Sequence, residues 1–124
     1  MRYIKRLIEK QLLAAARSFP AVILTGPRRS GKTTVLRRLF PGAAYVLLED
    51  PDLILRFRAD PAAFVAALTP PVILDEIQNA PEVLNYIRTR IDLTAGRKRG
   101  PWLLTGSHEA GLMRGVTESM AGRA

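Results

Sequence analysis

Residues 26–33, GPRRSGKT, come directly after the apolar run of residues 21–25, AVILT. Phosphate oxygens need several donors that converge from one side, and a glycine-rich turn aims its backbone N–H groups inward. Gly26 and Gly31 permit backbone conformations and close approaches that a side chain would block. The stretch fits the pattern G-x-x-x-x-G-K-[ST] of a phosphate-binding P-loop, in its usual place between a strand and a helix. It therefore predicts a nucleotide-binding α/β domain.

The side chains of this loop have separate predicted roles. Lys32 is expected to reach the β- and γ-phosphates, and the Thr33 hydroxyl to coordinate magnesium. The positive N-terminal end of the following helix adds to the attraction for phosphate. The residues predicted to bind the nucleotide are Gly26, Pro27, Arg28, Arg29, Ser30, Gly31, Lys32, Thr33 and Thr34.

Residues 72–76, VILDE, form an apolar run that ends in two carboxylates. Such a run, about forty residues after a P-loop, is typical of a Walker B strand. Asp75 would hold the magnesium ion, directly or through water. Glu76 would accept a proton from the attacking water or orient it. A glutamate directly after that aspartate favours nucleotide hydrolysis over phosphoryl transfer to a small acceptor.

Polar residues also follow the last predicted strand, at Thr105 and Ser107. In doubly wound P-loop folds this strand lies between the P-loop strand and the Walker B strand. Its terminal side chains can then sense the γ-phosphate or position the water, and either Thr105 or Ser107 would do so. An alternative interpretation makes Ser107 the N-cap of a helix. His108 is interpreted as a solvent-facing residue.

Apolar spacing and helix breakers place the remaining elements. Two Asp-Pro pairs, at residues 50–51 and 60–61, each predict an N-cap and a first-turn proline of a short helix. A basic loop is expected at 96–100 and a helical tail from Ser107. The longer predicted helices span residues 3–17, 32–40 and about 81–93, and the predicted strands span 21–25, 43–48, 72–74 and 102–105.

Composition excludes several classes of protein. The 124 residues are 48% hydrophobic, too apolar for a disordered chain, and no run is long enough for a membrane-spanning helix. The absence of cysteine and the single histidine exclude thiol catalysis and a multi-histidine metal site. Charged residues near the N-terminus leave no room for a signal-peptide core. We expect a cytoplasmic globular unit with no membrane partner.

The net charge of +8 is concentrated in residues 1–62, which alone carry +7. Such a field attracts polyanions, which include nucleotides, nucleic acids and anionic membrane surfaces. Three arginine-rich groups, at 37–38, 56–58 and 97–99, could form a nucleic-acid surface. No nucleic-acid-binding motif or aromatic platform accompanies them. Such charge runs are usually solvated surfaces, which is the favoured interpretation.

Five stretches together resemble a prokaryotic family of AAA-type P-loop ATPases whose members usually carry a C-terminal domain of unknown function. They are residues 26–34 (GPRRSGKTT), 45–52 (YVLLEDPD), 72–78 (VILDEIQ), 103–107 (LLTGS) and 112–123 (LMRGVTESMAGR). The resemblance implies ATP and Mg²⁺ as cofactors, ATPase activity and a RecA-like three-layer α/β sandwich. The mostly parallel sheet of that fold has the strand order 5-1-4-3-2. His108 departs from the family, where glutamine is frequent.

The resemblance also implies an arginine against the γ-phosphate, often supplied by a neighbouring subunit. Arg123 is the preferred candidate and Arg114 the other. Residues 1–20 are expected to be an N-terminal amphipathic helix, and residues 21–124 an ATPase core. Only four of the family's five strands can be counted, so the core is expected to be incomplete at its C-terminus.

Three hypotheses follow. The first is magnesium-dependent ATP binding with hydrolysis. The second is an interaction module that binds ATP, turns over little, and couples nucleotide state to a partner protein or a second copy. The third is a basic nucleic-acid-binding protein.

Overall fold

A computed structural model describes residues 2–26, 31–94 and 100–107. Its helices are α1 (Arg2–Ser18), α2 (Lys32–Leu39), α3 (Pro51–Ala59), α4 (Pro61–Ala66) and α5 (Val83–Leu93), and its strands are β1 (Ala21–Thr25), β2 (Ala44–Leu47), β3 (Val72–Asp75) and β4 (Trp102–Gly106). A 3-10 turn, Ile77–Asn79, follows β3. The alternation of strands and helices confirms the predicted α/β class.

The four strands form one all-parallel sheet in the order β1-β4-β3-β2. β4 therefore lies between β1, which leads into the P-loop, and β3, which ends at Asp75, as predicted. All four residues of β3 and all five of β4 are buried. Their apolar runs are what a parallel strand covered on both faces requires.

Successive residues of the central strands face opposite sides of the sheet, and each side has its own core. Ile73 and Leu103 pack with Leu12 of α1 and Leu36 of α2 on one face. The larger core on the other face includes Leu74, Leu104, Phe57, Val83 and Ile87. Helices on both faces give the predicted three-layer arrangement.

The two Asp-Pro pairs start helices as predicted. Asp50 accepts a hydrogen bond from the Asp52 amide at 3.0 Å, and Asp60 accepts one from the Ala63 amide at 3.3 Å. Each aspartate thus satisfies one of the N–H groups that a helix start leaves without an intrahelical partner. These caps fix where α3 and α4 begin beside the large core.

Element ends differ from the predictions by one or two residues. The predicted helix at 81–93 starts at Val83 because the preceding segment is wound more tightly. The Val83 amide bonds to the Ala80 carbonyl and the Leu84 amide to the Pro81 carbonyl, both three residues back. Apolar spacing alone cannot distinguish such a 3-10 turn from the first turn of an α-helix.

The predicted helical tail falls on residues 108–124, outside the described residues. The expected lack of the family's fifth strand also depends on those residues, and both stay predictions. Within the described part of the chain, β1 pairs with β4 alone. α1 packs through Leu12 onto the same face of the sheet as α2. In that same part, no helix combines the length and the apolar character needed to cross a bilayer.

Candidate functional site

The carboxyl ends of all four strands lie along one edge of the sheet. Leu47 lies opposite Asp75 across β2 and β3, and Thr25 lies opposite Gly106 across β1 and β4. β1 leads into the P-loop, β3 ends in Asp75, and β4 leads to Ser107. The parallel register therefore brings together segments that are about thirty or more residues apart in the sequence.

Lys32 is the first residue of α2, and its side chain reaches back to Gly26, the first residue of the P-loop. Its side chain is only 8% exposed, and Nζ donates a hydrogen bond to the Gly26 carbonyl at 2.7 Å. The Gly26 amide in turn donates to the Gly106 carbonyl at 3.2 Å. The start of the P-loop is thereby tied both to its lysine and to the end of β4.

Gly31 immediately precedes α2 and has a left-handed backbone conformation, with φ of 87°. This conformation costs a residue with a Cβ atom energy that glycine does not incur. Gly31 also has no side chain that could cap the first-turn N–H groups of α2, and such groups at a helix start can bind an anion.

Asp75, 5% exposed at the end of β3, accepts two hydroxyl hydrogen bonds. Thr105 Oγ1 on β4 donates to Oδ1, and Tyr45 Oη on β2 donates to Oδ2 at 2.5 Å. A buried carboxylate needs such partners because it has lost its water. Sequence reasoning did not single out Tyr45, although strand alternation places it on the same face as Asp75, two residues before the strand end.

Tyr45 is itself held from two sides. The Arg37 guanidinium on α2 lies 4.7 Å from the centre of its ring. Burial raises the pKa of the Tyr45 hydroxyl, and the hydrogen bond to Asp75 and the charge of that carboxylate raise it further. The hydroxyl therefore stays protonated at neutral pH and keeps its role as a donor to Asp75.

Glu76 adopts φ of 61° and ψ of 51°, the only positive φ among the non-glycine residues that the structure describes. Its amide donates to Thr105 Oγ1 at 3.0 Å. Its carboxylate Oε2 accepts a hydrogen bond from Gln78 Nε2 at 2.5 Å. Backbone of this kind costs on the order of 1–3 kcal/mol and is concentrated at functional sites. Gln78 is a second residue of this site that sequence reasoning did not single out.

Thr105 and Ser107, the two candidates at the end of β4, have different surroundings. Thr105 is fully buried, and its hydroxyl is engaged by Asp75 and by the Glu76 amide. Ser107 is 9% exposed, and its Oγ has no hydrogen-bond partner among the described residues. Its amide donates to Gln78 Oε1 at 3.3 Å. Ser107 is therefore the one of the two whose hydroxyl retains capacity for a further partner.

Other predicted site residues lie farther along α2 or outside the described residues. Thr33 is half-buried at the second position of α2, and Thr34 is exposed at the third. Those outside the description are Pro27, Arg28, Arg29, Ser30, His108, Arg114 and Arg123, together with the basic loop at 97–99.

The donor set fits a magnesium ion better than a metal that needs a cage of protein ligands. Across residues 2–26, 31–94 and 100–107, no three His, Cys, Asp or Glu side chains cluster to hold a metal. Mg²⁺ is usually held by one or two carboxylates, water and substrate phosphates. Asp75 and Thr33 are the residues that could supply ligands of that kind.

A family model described as an AAA domain matches residues 18–124. The chain belongs to the AAA domain family. Members of this family are nucleotide-binding domains of the ATPase type, and the four-stranded parallel sheet with its P-loop helix has their fold. The resemblance drawn from the sequence motifs is thereby confirmed.

Two uncharacterized proteins, one from Mycobacterium bovis and one from Mycobacterium tuberculosis, are similar to this AAA domain chain. Each is 32% identical over 114 residues, which is 91% of this chain and 25% of the mycobacterial protein. The chain therefore spans about a quarter of the length of the curated relatives that it matches.

Proposed function

We propose that this AAA domain binds ATP together with Mg²⁺ and hydrolyses it. The observation that carries the proposal is the convergence of three groups at one edge of the sheet. Lys32 is buried against the Gly26 carbonyl, and Asp75 and Glu76 are both tied to Thr105 on the neighbouring strand. A cation at the start of a helix, at the same edge of the sheet as two adjacent carboxylates, suits a metal-bound triphosphate.

The P-loop residues hold the phosphates in this proposal. Lys32 exchanges its bond to the Gly26 carbonyl for phosphate oxygens, which offer it a charge-assisted hydrogen bond. The first-turn amides of α2 donate from the same side. The other proposed contacts come from Pro27, Arg28, Arg29, Ser30, Thr33 and Thr34.

Asp75 and Thr33 would hold the magnesium ion. The chemistry that Mg²⁺ supplies when bound is neutralisation of charge on the β- and γ-phosphates. Thr105 does not contact the phosphates in this proposal, because its hydroxyl is already engaged inside the sheet. Its role is to position the Asp75 carboxylate and the Glu76 backbone.

Glu76 acts on water. Its carboxylate takes a proton from a water molecule as the water oxygen bonds to the γ-phosphorus, and the bond from that phosphorus to the bridging oxygen breaks. Ser107 places a hydroxyl donor at the γ-phosphate. Arg123, from the same chain or a neighbouring copy, would offset charge that develops there.

The test is phosphate release from ATP with Mg²⁺, compared between the parent and Glu76→Gln. The amide keeps the size of the side chain but cannot take the proton, so we expect a loss of about 10²–10⁴-fold in rate with nucleotide affinity kept. Glu9→Gln is the matched control, because it removes the same charge from the surface pair with Arg38. A parent that releases no phosphate contradicts hydrolysis, and a Glu76→Gln rate equal to that of an active parent contradicts the role of Glu76.

A further inference from the structure

Gln78 bridges the ends of two strands through the two halves of its side-chain amide. Nε2 donates to Glu76 Oε2 at 2.5 Å, and Oε1 accepts from the Ser107 amide at 3.3 Å. A carboxylate only accepts and a backbone N–H only donates, so the amide satisfies both neighbours in one orientation alone. The side chain is therefore hydrogen-bonded to the residue after β3 through one atom and to the residue after β4 through the other.

The 3-10 turn that carries Gln78 is anchored by the residues on either side of it in the sequence. Ile77 is fully buried in the large core. Asn79 Nδ2 donates to the Leu48 carbonyl at 2.8 Å, beyond the end of β2. The Ala80 amide closes the turn on the Ile77 carbonyl at 3.0 Å. The backbone of Gln78 is thus held in place by its neighbours. Its side-chain amide can therefore restrain the Glu76 carboxylate to which it is hydrogen-bonded.

We propose that Gln78 is a positioning residue that holds the Glu76 carboxylate in place for its reaction with water and couples that position to Ser107. This rests on the proposed function, in which Glu76 takes the proton. A glutamate side chain has several rotatable bonds, and the hydrogen bond from Gln78 restricts them before substrate arrives. Preorganisation of this kind lowers the cost of reaching the reactive geometry.

The coupling between Glu76 and Ser107 follows from the surroundings of the hydrogen bond between the Ser107 amide and Gln78 Oε1. The amide that Gln78 accepts from belongs to Ser107, whose own hydroxyl is buried with no partner among the described residues. A phosphate oxygen that engages this hydroxyl would act on the same residue that Gln78 holds. Through Gln78 the carboxylate of Glu76 is then fixed relative to the group that meets the phosphate.

Two substitutions separate the two contacts. Gln78→Glu has the same shape and keeps an acceptor for the Ser107 amide, but it replaces the donor to Glu76 with a like charge. Gln78→Met keeps the length of the side chain and removes both contacts. Asn79→Ala is the control, because it removes one side-chain hydrogen bond from the same turn without touching Glu76.

We expect both Gln78 variants to lower kcat by about 10–100-fold while ATP affinity, measured by direct binding, stays near that of the parent. Asn79→Ala should lower kcat by a much smaller factor. A kcat kept or raised in Gln78→Glu would overturn the proposal. So would an equal loss in Asn79→Ala, because the effect would then belong to the turn as a whole.

Amide hydrogen exchange of the ATP-free chain provides a readout that needs no turnover. The Ser107 amide should exchange faster in Gln78→Met and stay protected in Gln78→Glu. If the parent does not hydrolyse ATP, the proposed function fails. The exchange result then still decides whether Gln78 holds Ser107, and equal Ser107 exchange in the parent and Gln78→Met overturns the coupling.

Discussion

Tyr45 and Asp75 are joined across β2 and β3 by a hydrogen bond of 2.5 Å from the tyrosine hydroxyl to Oδ2 of the carboxylate. The two residues are thirty positions apart in the sequence and share one face of the sheet. The second carboxylate oxygen is engaged by Thr105. The Asp75 carboxylate is therefore held from both neighbouring strands.

Tyr45→Phe should destabilise the fold modestly. It removes one donor from a buried carboxylate and leaves the ring in place, so we expect a loss of about 1 kcal/mol. That corresponds to a few degrees in the midpoint of thermal unfolding. Tyr86→Phe is the control, because it removes a tyrosine hydroxyl from a ring that packs edge-on against Phe57 in the large core. Equal midpoints for parent and Tyr45→Phe would contradict a stabilising role of the contact with Asp75.

The same pair predicts a dependence on alkaline pH. The pKa of Tyr45 is raised in the folded chain by burial and by Asp75, whereas an unfolded tyrosine ionises near pH 10. The stabilising contribution of Tyr45 is therefore complete below about pH 10 and is lost as the pH rises through the folded pKa. The difference between the unfolding midpoints of parent and Tyr45→Phe should shrink as the pH rises above about pH 10. A difference between the two midpoints that widens as the pH rises would contradict the raised pKa of Tyr45.

Thr105 and Ser107 should respond differently to loss of their hydroxyls. Thr105→Val leaves Asp75 and the Glu76 amide each without a buried partner, and should cost about 1–3 kcal/mol in urea unfolding. Thr105→Ser keeps the hydroxyl and should retain most of the stability that Thr105→Val loses.

Ser107→Ala should leave stability nearly unchanged, because its hydroxyl has no partner among the described residues. It should instead weaken discrimination between ATP and ADP in direct binding measurements. Equal destabilisation by Thr105→Val and Ser107→Ala would contradict the division of roles.

Lys32→Ala should weaken binding of magnesium-ATP by about 10-fold or more. A hydrogen bond to a charged group contributes about 1.5–3 kcal/mol, and 1.4 kcal/mol is a factor of ten in affinity. Lys10→Ala is the control, because it removes the same charge from an exposed position on α1. Titration with a fluorescent ATP analogue would measure the affinity of each variant. Unchanged affinity in Lys32→Ala would refute the assignment of this loop to phosphate binding.

Gly31→Ala tests the backbone conformation at the start of α2. Among the described residues a Cβ atom there would meet nothing within 4 Å, so the expected cost is that of the positive φ, about 1–2 kcal/mol. Gly42→Ala has equal space and no positive φ, and should change stability by less than about 0.5 kcal/mol. Chemical denaturation of the two variants compares them directly. Similar stabilities would contradict the left-handed conformation of Gly31.

Local sequence determined the elements and the main chemical groups of this protein. The apolar runs predict β1, β3 and β4, and the two Asp-Pro pairs predict the starts of α3 and α4, because buried strands and helix caps depend on neighbouring residues. Lys32, Asp75 and Glu76 were identifiable for the same reason: their motifs are contiguous in the chain.

Only the tertiary structure decided which of these groups hold one another. Tyr45 reaches Asp75 because β2 and β3 are neighbours in register, and Gln78 reaches Ser107 because β4 lies beside β3. The Thr105 hydroxyl is engaged inside the sheet, whereas the Ser107 hydroxyl has no partner among the described residues. Residue periodicity does not predict this difference. Hydrogen bonds between residues about thirty positions apart depend on strand order, register and burial, and these exist only once the sheet has assembled.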